Sequence, residues 1–283
     1  MPALDDHALA ADLAERAGRL LLDLRAKGGD PTALRNAGDR QSHEFLMAEL
    51  ARARPGDAVL SEEGIDDKAR LTADRVWIVD PLDGTREFGE PGRTDWAVHV
   101  ALWARDAPAP LGQWSETRPA SATSGERPAT RTAAAGPGNL IAGAVALPAQ
   151  QCVLSTAALT TSPGPGAQRP LRMVVSRSRA SDLVKDVAAR IHAELVPWGS
   201  AGAKVATVVL GENDVYLHSG GFYEWDTAAP VAVARQHGFQ VSRIDGSPVL
   251  YNQEDPLLPD ILVCRPAIAP VLLDAIREAT HAI

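Results

Sequence analysis

The densest chemistry in the 283-residue chain lies in six consecutive residues, Asp80-Pro81-Leu82-Asp83-Gly84-Thr85. They follow the apolar run Arg75-Val76-Trp77-Ile78-Val79, which reads as a buried strand. That strand delivers Asp80 to its carboxyl end, where α/β sheets commonly bind ligands. Pro81 fixes its own φ, so the two aspartates are held rather than free to swing. Gly84 lets the backbone approach a ligand closely, and its N–H and that of Thr85 can point at phosphate oxygens. All side-chain donors here are hard oxygens, which suits Mg²⁺ and not zinc. Asp-Gly is also a common turn pair, so these six residues alone leave a plain surface turn open.

Three further acidic positions have the same double reading. Ser61-Glu62-Glu63 follows another short apolar run, Ala58-Val59-Leu60, and is either a ligand-bearing strand end or a solvated loop. Trp225-Asp226-Thr227-Ala228-Ala229 places an Asp at the start of a helix, where the ordinary role is N-cap. Asp39 stands just before a helical run reaching Arg52 and has the same plain explanation. The combination of these acids, rather than any one of them, points to a metal-assisted site.

The elements that must position them are readable in outline. Leu9, Leu13, Leu20, Leu21 and Leu24 recur at helical spacing, giving an amphipathic helix that ends near Lys27-Gly28-Gly29. The second helix is expected from about Asp39 to Arg52, stopped by Pro55-Gly56. Apolar residues alternate from Trp96 to Leu102, and strand signal resumes at Leu140–Leu147. Between them, Arg105 to Gly138 is rich in Pro, Ala, Ser, Thr and Gly with no period and is expected to be a mobile insertion. Ser162 to Pro170 marks a boundary between a half at about 1–160 and a second half at 170–283.

The second half alternates types. A strand is expected at Leu171–Ser176, a helix at Ser181–Ala193 and a helix at Ala201–Leu210 introduced by Gly199-Ser200. A short strand follows at Asp214–Leu217, then a helix at Thr227–Gln236. Phe239–Ile244 and Pro248–Tyr251 read as a hairpin around Asp245-Gly246. A strand at Ile261–Cys264 and a helix from Pro270 close the chain. Mixed strands and helices in both halves give a layered α/β fold.

Composition bounds the function classes. The net charge of −8, with no basic stripe carrying interleaved aromatics, argues against a nucleic-acid polymer as ligand. Small anionic substrates remain accessible where a cation reverses the local field. Cys152 and Cys264 lie far apart and suggest neither a disulfide framework nor structural zinc. No apolar stretch is long enough to span a bilayer and the opening residues are acidic, so a cytoplasmic protein with no membrane partner is the expectation.

Taken together, Asp39, Glu62-Glu63, Asp80-Pro81-Leu82-Asp83-Gly84-Thr85 and Trp225-Asp226-Thr227-Ala228-Ala229 resemble the signature of the lithium-sensitive inositol monophosphatase superfamily. The resemblance covers nearly the whole chain outside the insertion. It implies an α/β fold, the αβαβα sandwich shared by inositol monophosphatases and fructose-1,6-bisphosphatases. Asp83-Gly84-Thr85-Arg86-Glu87-Phe88 and Asp245-Gly246-Ser247-Pro248 are similar to the nucleotide branch of that superfamily. The implied activity is a 3′(2′),5′-bisphosphate nucleotidase of sulfate assimilation, converting 3′-phosphoadenosine 5′-phosphate to AMP and phosphate. Inositol monophosphatase or fructose-1,6-bisphosphatase activity is the alternative, and a non-catalytic phosphate-binding protein a remote one.

The resemblance also implies roles. Glu62, Asp80 and the Leu82 carbonyl would hold one Mg²⁺, with Asp80, Asp83 and Asp226 holding a second; two or three ions are implied. Glu62 and Thr85 would orient the attacking water, with Asp39 supporting Thr85. Asp83, Gly84, Thr85 and Asp226 would lie against the small phosphorylated substrate. Ser200 in Gly199-Ser200-Ala201 resembles a substrate-side motif, and Lys204 would pair with a 5′-phosphate or sit as a solvated helix lysine. Arg86 is either a substrate contact or a structural ion pair. The family is often dimeric, which leaves a homodimer open. Ser219 stands near where inositol monophosphatases carry a sugar-binding glutamate, which favours a nucleotide over inositol phosphate.

Overall fold

The structure is a computed structural model and describes residues 4–107, 138–159, 169–178 and 180–281. Two antiparallel helices open the chain, α1 (Asp6–Ala26) and α2 (Pro31–Ala53). Five strands follow: β1 (Ala58–Ser61), β2 (Arg75–Asp83), β3 (Ala97–Ala104), β4 (Asn139–Leu147) and β5 (Cys152–Ser155). They form one sheet in sequence order, with β1 parallel to β2 and the rest antiparallel. A one-turn helix, α3 (Thr85–Gly89), leaves the end of β2.

The second sheet has the order β7-β6-β8-β10-β9. Its strands are β6 (Arg172–Ser176), β7 (Glu194–Trp198), β8 (Val215–Tyr223), β9 (Gln240–Ser242) and β10 (Leu257–Cys264). The remaining helices are α4 (Asp182–Arg190), α5 (Ala201–Val209), α6 (Glu224–Gln236) and α7 (Ala269–His281).

Three apolar clusters explain the layering. α1 and α2 cover the outer face of the first sheet through Leu13, Leu21, Leu46, Trp77 and Val98. α5, apolar but for Lys204 and Thr207, and the apolar 228–234 stretch of α6 lie between the sheets, where Ile78, Val145, Val208, Val231 and Ile261 meet. A helix buried on all sides has this composition because no face of it meets water. α4 and α7 cover the outer face of the second sheet through Val187, Leu217 and Leu272. The result is the αβαβα sandwich.

Five expectations are corrected. α2 begins at Pro31 behind an Asp30 N-cap that accepts from Thr32 and Ala33, so Asp39 lies inside the helix and caps nothing. α6 begins at Glu224, three residues earlier than expected, and Asp226 is its third residue. From there its carboxylate accepts the Tyr223 N–H at 2.6 Å, capping the helix from within. The Asp245-Gly246 turn forms, with Arg243 N–H donating to Ser247 at 2.8 Å, but no hairpin follows. β9 pairs with β10 instead, and the N–H groups of Asn252 and Gln253 are drawn to the buried Glu224 carboxylate at 2.7 and 2.8 Å. β8 also runs on past Leu217 to Tyr223, and β10 starts four residues before Ile261. Most of Arg105–Gly138 and of Ser162–Pro170 falls outside the described residues.

Candidate active site

β2 carries Asp80 and Asp83 to its end, where the strand kinks and the register against β3 shifts between them. The turn is clamped from α2: Ser42 Oγ donates to the Pro81 carbonyl at 2.7 Å. Gly38 allows that approach, since a Cβ there would fall 2.8 Å from Phe88 and 2.9 Å from Leu82. Gly84 then adopts φ +85, a left-handed conformation that glycine takes without strain, and starts α3.

The first carboxylate partner comes from β1. The N–H of Glu62 donates to the Val79 carbonyl, so the residue after β1 is registered on the strand that ends in Asp80. Asp226 comes from the opposite half, on the first turn of α6. All four acids, Glu62, Asp80, Asp83 and Asp226, line one cavity of about 450 Å³ together with Leu82, Gly84, Thr85, Arg86, Ser200 and Lys204. Residues far apart in the sequence thus line one cavity.

Their electrostatics are those of crowded like charges. Burial, then Asp226, push the Glu62 carboxyl up to about 8. Burial, then Glu62, Asp83 and Asp226, push Asp80 well above the usual carboxylate range. Asp80 Oδ1 accepts the Leu82 N–H at 3.0 Å, but its buried Oδ2 meets no N–H or hydroxyl donor, only the neighbouring Glu62 carboxyl. A buried carboxylate oxygen without a donor costs free energy unless a cation meets it. A set of crowded carboxylates with an orphaned buried oxygen fits a hard divalent cation such as Mg²⁺.

The neighbours of Asp83 orient it. Its Oδ2 accepts from Ser200 Oγ at 2.5 Å and from the Gly202 N–H at 2.9 Å, both at the start of α5. Ser200 also caps α5 through Ala203 N–H. The loop before α5 is tied to the first half by Asp95, whose carboxylate accepts the Gly199 N–H at 2.6 Å and whose carbonyl accepts that of Ser200. Thr85 Oγ lies 3.2 Å from Asp39 Oδ1 and 3.0 Å from the Leu82 carbonyl, so its one proton has two acceptors. Burial, then the charge of Glu63, push Asp39 up to about 6.

Lys204 is nearly inaccessible. Its Nζ donates to the Ser200 carbonyl at 3.0 Å and to the Gly199 carbonyl, bracing the turn beneath Ser200. Arg86 pairs with Glu90 at 3.1 Å from a largely exposed position. Ser219 hydroxyl exchanges a hydrogen bond with Ser181 at 2.7 Å.

Two residues lie outside the motif reading. His99, wholly buried on β3, places Nε2 3.3 Å from Asp83 Oδ2 and Nδ1 3.2 Å from the Trp225 carbonyl, bridging the two halves directly under the acids. With Asp80 and Asp83 it forms a group able to hold a metal. Its only signal in the sequence is a lone imidazole in the apolar alternation Ala97–Leu102. Arg177, just beyond β6, lines the same cavity and has no sequence signal beyond a cation at a strand end.

The fold gathers these acids around one cavity that could hold a metal, and the chain belongs to the inositol monophosphatase family, whose sequence model matches residues 7–281. Among curated relatives, the 3′-phosphoadenosine 5′-phosphate phosphatase of Mycobacterium leprae (strain TN) is 47% identical over 282 residues, covering 97% of this chain and 94% of that protein. CysQ from Bacteroides thetaiotaomicron, a bacterial member of the same family, is 26% identical with a TM-score of 0.66, covering 91% of this chain and 96% of that one. Inositol monophosphatase II from Staphylococcus aureus MSSA476 is 17% identical with a TM-score of 0.72 over 97% and 96% of the two chains, which speaks for the fold alone. Among the described residues no helix is long and apolar enough to cross a membrane.

Proposed function

We propose that the protein is a Mg²⁺-dependent phosphomonoesterase, a 3′(2′),5′-bisphosphate nucleotidase that converts 3′-phosphoadenosine 5′-phosphate to AMP and phosphate. The observation that carries this reading is the convergence of Glu62, Asp80, Asp83 and Asp226 around one cavity, in a chain closely similar to a phosphatase named for that nucleotide. Glu62, Asp80, the Leu82 carbonyl, Asp83 and Asp226 would hold two or three Mg²⁺ ions, which when bound neutralise phosphate charge and make water a stronger nucleophile.

The chain's own groups do the rest. Glu62 and the Thr85 hydroxyl orient the attacking water, and Asp39 holds the Thr85 rotamer. The Gly84 and Thr85 N–H groups receive phosphate oxygens, so that positioning and fixed dipoles carry phosphoryl transfer. Ser200 and Gly202 lock the Asp83 carboxylate, so little reorganisation is needed when the substrate arrives. Ser200 lines the side of the cavity formed with α5 and faces the rest of the nucleotide, with Lys204 bracing its turn from beneath and Arg86 at the rim.

Inositol monophosphatase or fructose-1,6-bisphosphatase activity would use the same acids. The Ser181–Ser219 pair, which offers no carboxylate to a sugar alcohol, favours the nucleotide. A panel of 3′-phosphoadenosine 5′-phosphate, inositol 1-phosphate and fructose 1,6-bisphosphate with Mg²⁺ tests this. The expected result is the highest kcat/KM on the nucleotide; an equal value on inositol 1-phosphate would overturn the substrate assignment.

A further inference from the structure

Among the described residues three cations line the acid cavity: Arg86, Arg177 and Lys204. Lys204 braces backbone carbonyls of its own turn and Arg86 reaches outward to Glu90. Arg177 differs from both. Its backbone N–H donates to the Trp198 carbonyl at 3.0 Å, anchoring it between β6 and β7. Its guanidinium donates to Glu87 Oε1 at 2.7 Å and to both oxygens of Glu90 at 2.8 and 3.0 Å.

The two carboxylates are unequal. Glu87 has a side chain only 9% exposed, whereas that of Glu90 is 35% exposed. Glu87 also packs on Gly199, where a Cβ would fall 2.5 Å from its Cγ. Glu90 divides its charge between Arg86 and Arg177. Exposed ion pairs of this kind contribute little stability, and a phosphate dianion offers arginine a stronger charge with matching two-point geometry.

We propose that Arg177 determines specificity by receiving the second phosphate of a bisphosphorylated nucleotide, with Glu87 fixing the guanidinium and Glu90 giving way to the phosphate. The inference rests on the nucleotidase reading and adds to it a residue that discriminates bisphosphates from monophosphates. It also accounts for Glu87, which lies next to the metal turn in sequence yet presents a cation rather than binding one.

The test measures kcat/KM on 3′-phosphoadenosine 5′-phosphate and on adenosine 3′-monophosphate with Mg²⁺, and reads their ratio. Arg177→Met should lower the ratio about tenfold or more, the loss of a charge-assisted hydrogen bond. Arg177→Lys should recover part of it, and Glu90→Gln should raise the ratio above wild type. A merely structural arginine would lower both values in proportion, and an unchanged ratio in Arg177→Met overturns the proposal. Should that variant not fold, Glu90→Gln decides: a raised ratio supports the proposal and an unchanged or lower one overturns it. Wild-type protein that hydrolyses both nucleotides equally overturns the proposal alone. Protein that cleaves inositol 1-phosphate and neither nucleotide overturns the nucleotidase reading beneath it.

Discussion

Asp80→Asn should make the protein more stable without metal and less responsive to it. Asp80 is wholly buried, its Oδ2 meets no N–H or hydroxyl donor, and Glu62, Asp83 and Asp226 surround it with like charge. An unpaired buried acceptor costs about 1–3 kcal/mol. The asparagine amide is neutral without having to hold a proton and offers a donor toward Glu62, so metal-free stability should rise by about 1–2 kcal/mol. In the wild type, Mg²⁺ at one hundred times its dissociation constant should add about 2.7 kcal/mol. For a chain of this size that is roughly 5–10 °C in Tm. Thermal melts in EDTA and in a MgCl₂ series read both quantities. The two variants should cross, with Asp80→Asn melting higher in EDTA and gaining less than half the wild-type Mg²⁺ shift. A wild type indifferent to Mg²⁺, or an Asp80→Asn protein with the full shift, would refute the reasoning.

Other outcomes follow from the same geometry. Glu62→Gln and Asp83→Asn should fold and lose measurable turnover in Mg²⁺; near-normal rates in both would remove the acids from the chemistry. Gly202→Ala places a Cβ 1.9 Å from His99 Nε2 and should cost about 1–3 kcal/mol, a penalty that His99→Ala relieves in a double-mutant cycle by urea denaturation. Ser200→Ala removes both an Asp83 donor and the α5 cap, for about 1 kcal/mol of stability and a reduced kcat/KM. Asp66 is held down to about 2 chiefly by its hydrogen bonds to Arg70, a residue 1% exposed. Because that folded value lies below the unfolded 3.8, the contribution is present above about pH 4 and is lost as pH falls toward 2. Urea midpoints between pH 2 and 6 should therefore fall less steeply in Asp66→Asn than in wild type, and parallel curves would count against the pair.

The parts of this fold that can be read from the sequence are those where one residue pattern has one physical outcome. An apolar run ending in Asp80-Pro81-Leu82-Asp83 has to be a buried strand that surfaces at a rigid turn, and it is. The start of α2 is hard to place because residues 31–38 carry few apolar side chains, although Asp30-Pro31 is itself an N-cap followed by a first-turn proline. β5 and β7 are short edge strands, and β7 is half-exposed with no alternation, so no period marks them. The expected hairpin fails because Val249 and Tyr251 are buried as side chains while the backbone beyond them is claimed by Glu224, a long-range partner that local pattern cannot supply.

The site divides the same way. Glu62, Asp80, Asp83 and Asp226 each have a plain local reading as loop, turn or helix-start acids, and only their combination singles them out. His99 and Arg177 act across 126 residues to Trp225 and 87 to Glu90, and nothing beside them in the chain announces those partners. Lys204 reads from sequence as a solvated or substrate-facing lysine, and only the fold shows its ammonium folded back onto its own turn.

The most direct test of the account is a crystal structure of the protein grown or soaked with Mn²⁺, read by anomalous scattering. The expected map has peaks within bonding distance of Asp80 that are shared with Glu62 on one side and with Asp83 and Asp226 on the other. Catalytically active protein whose only anomalous peaks lie away from these four carboxylates would contradict it.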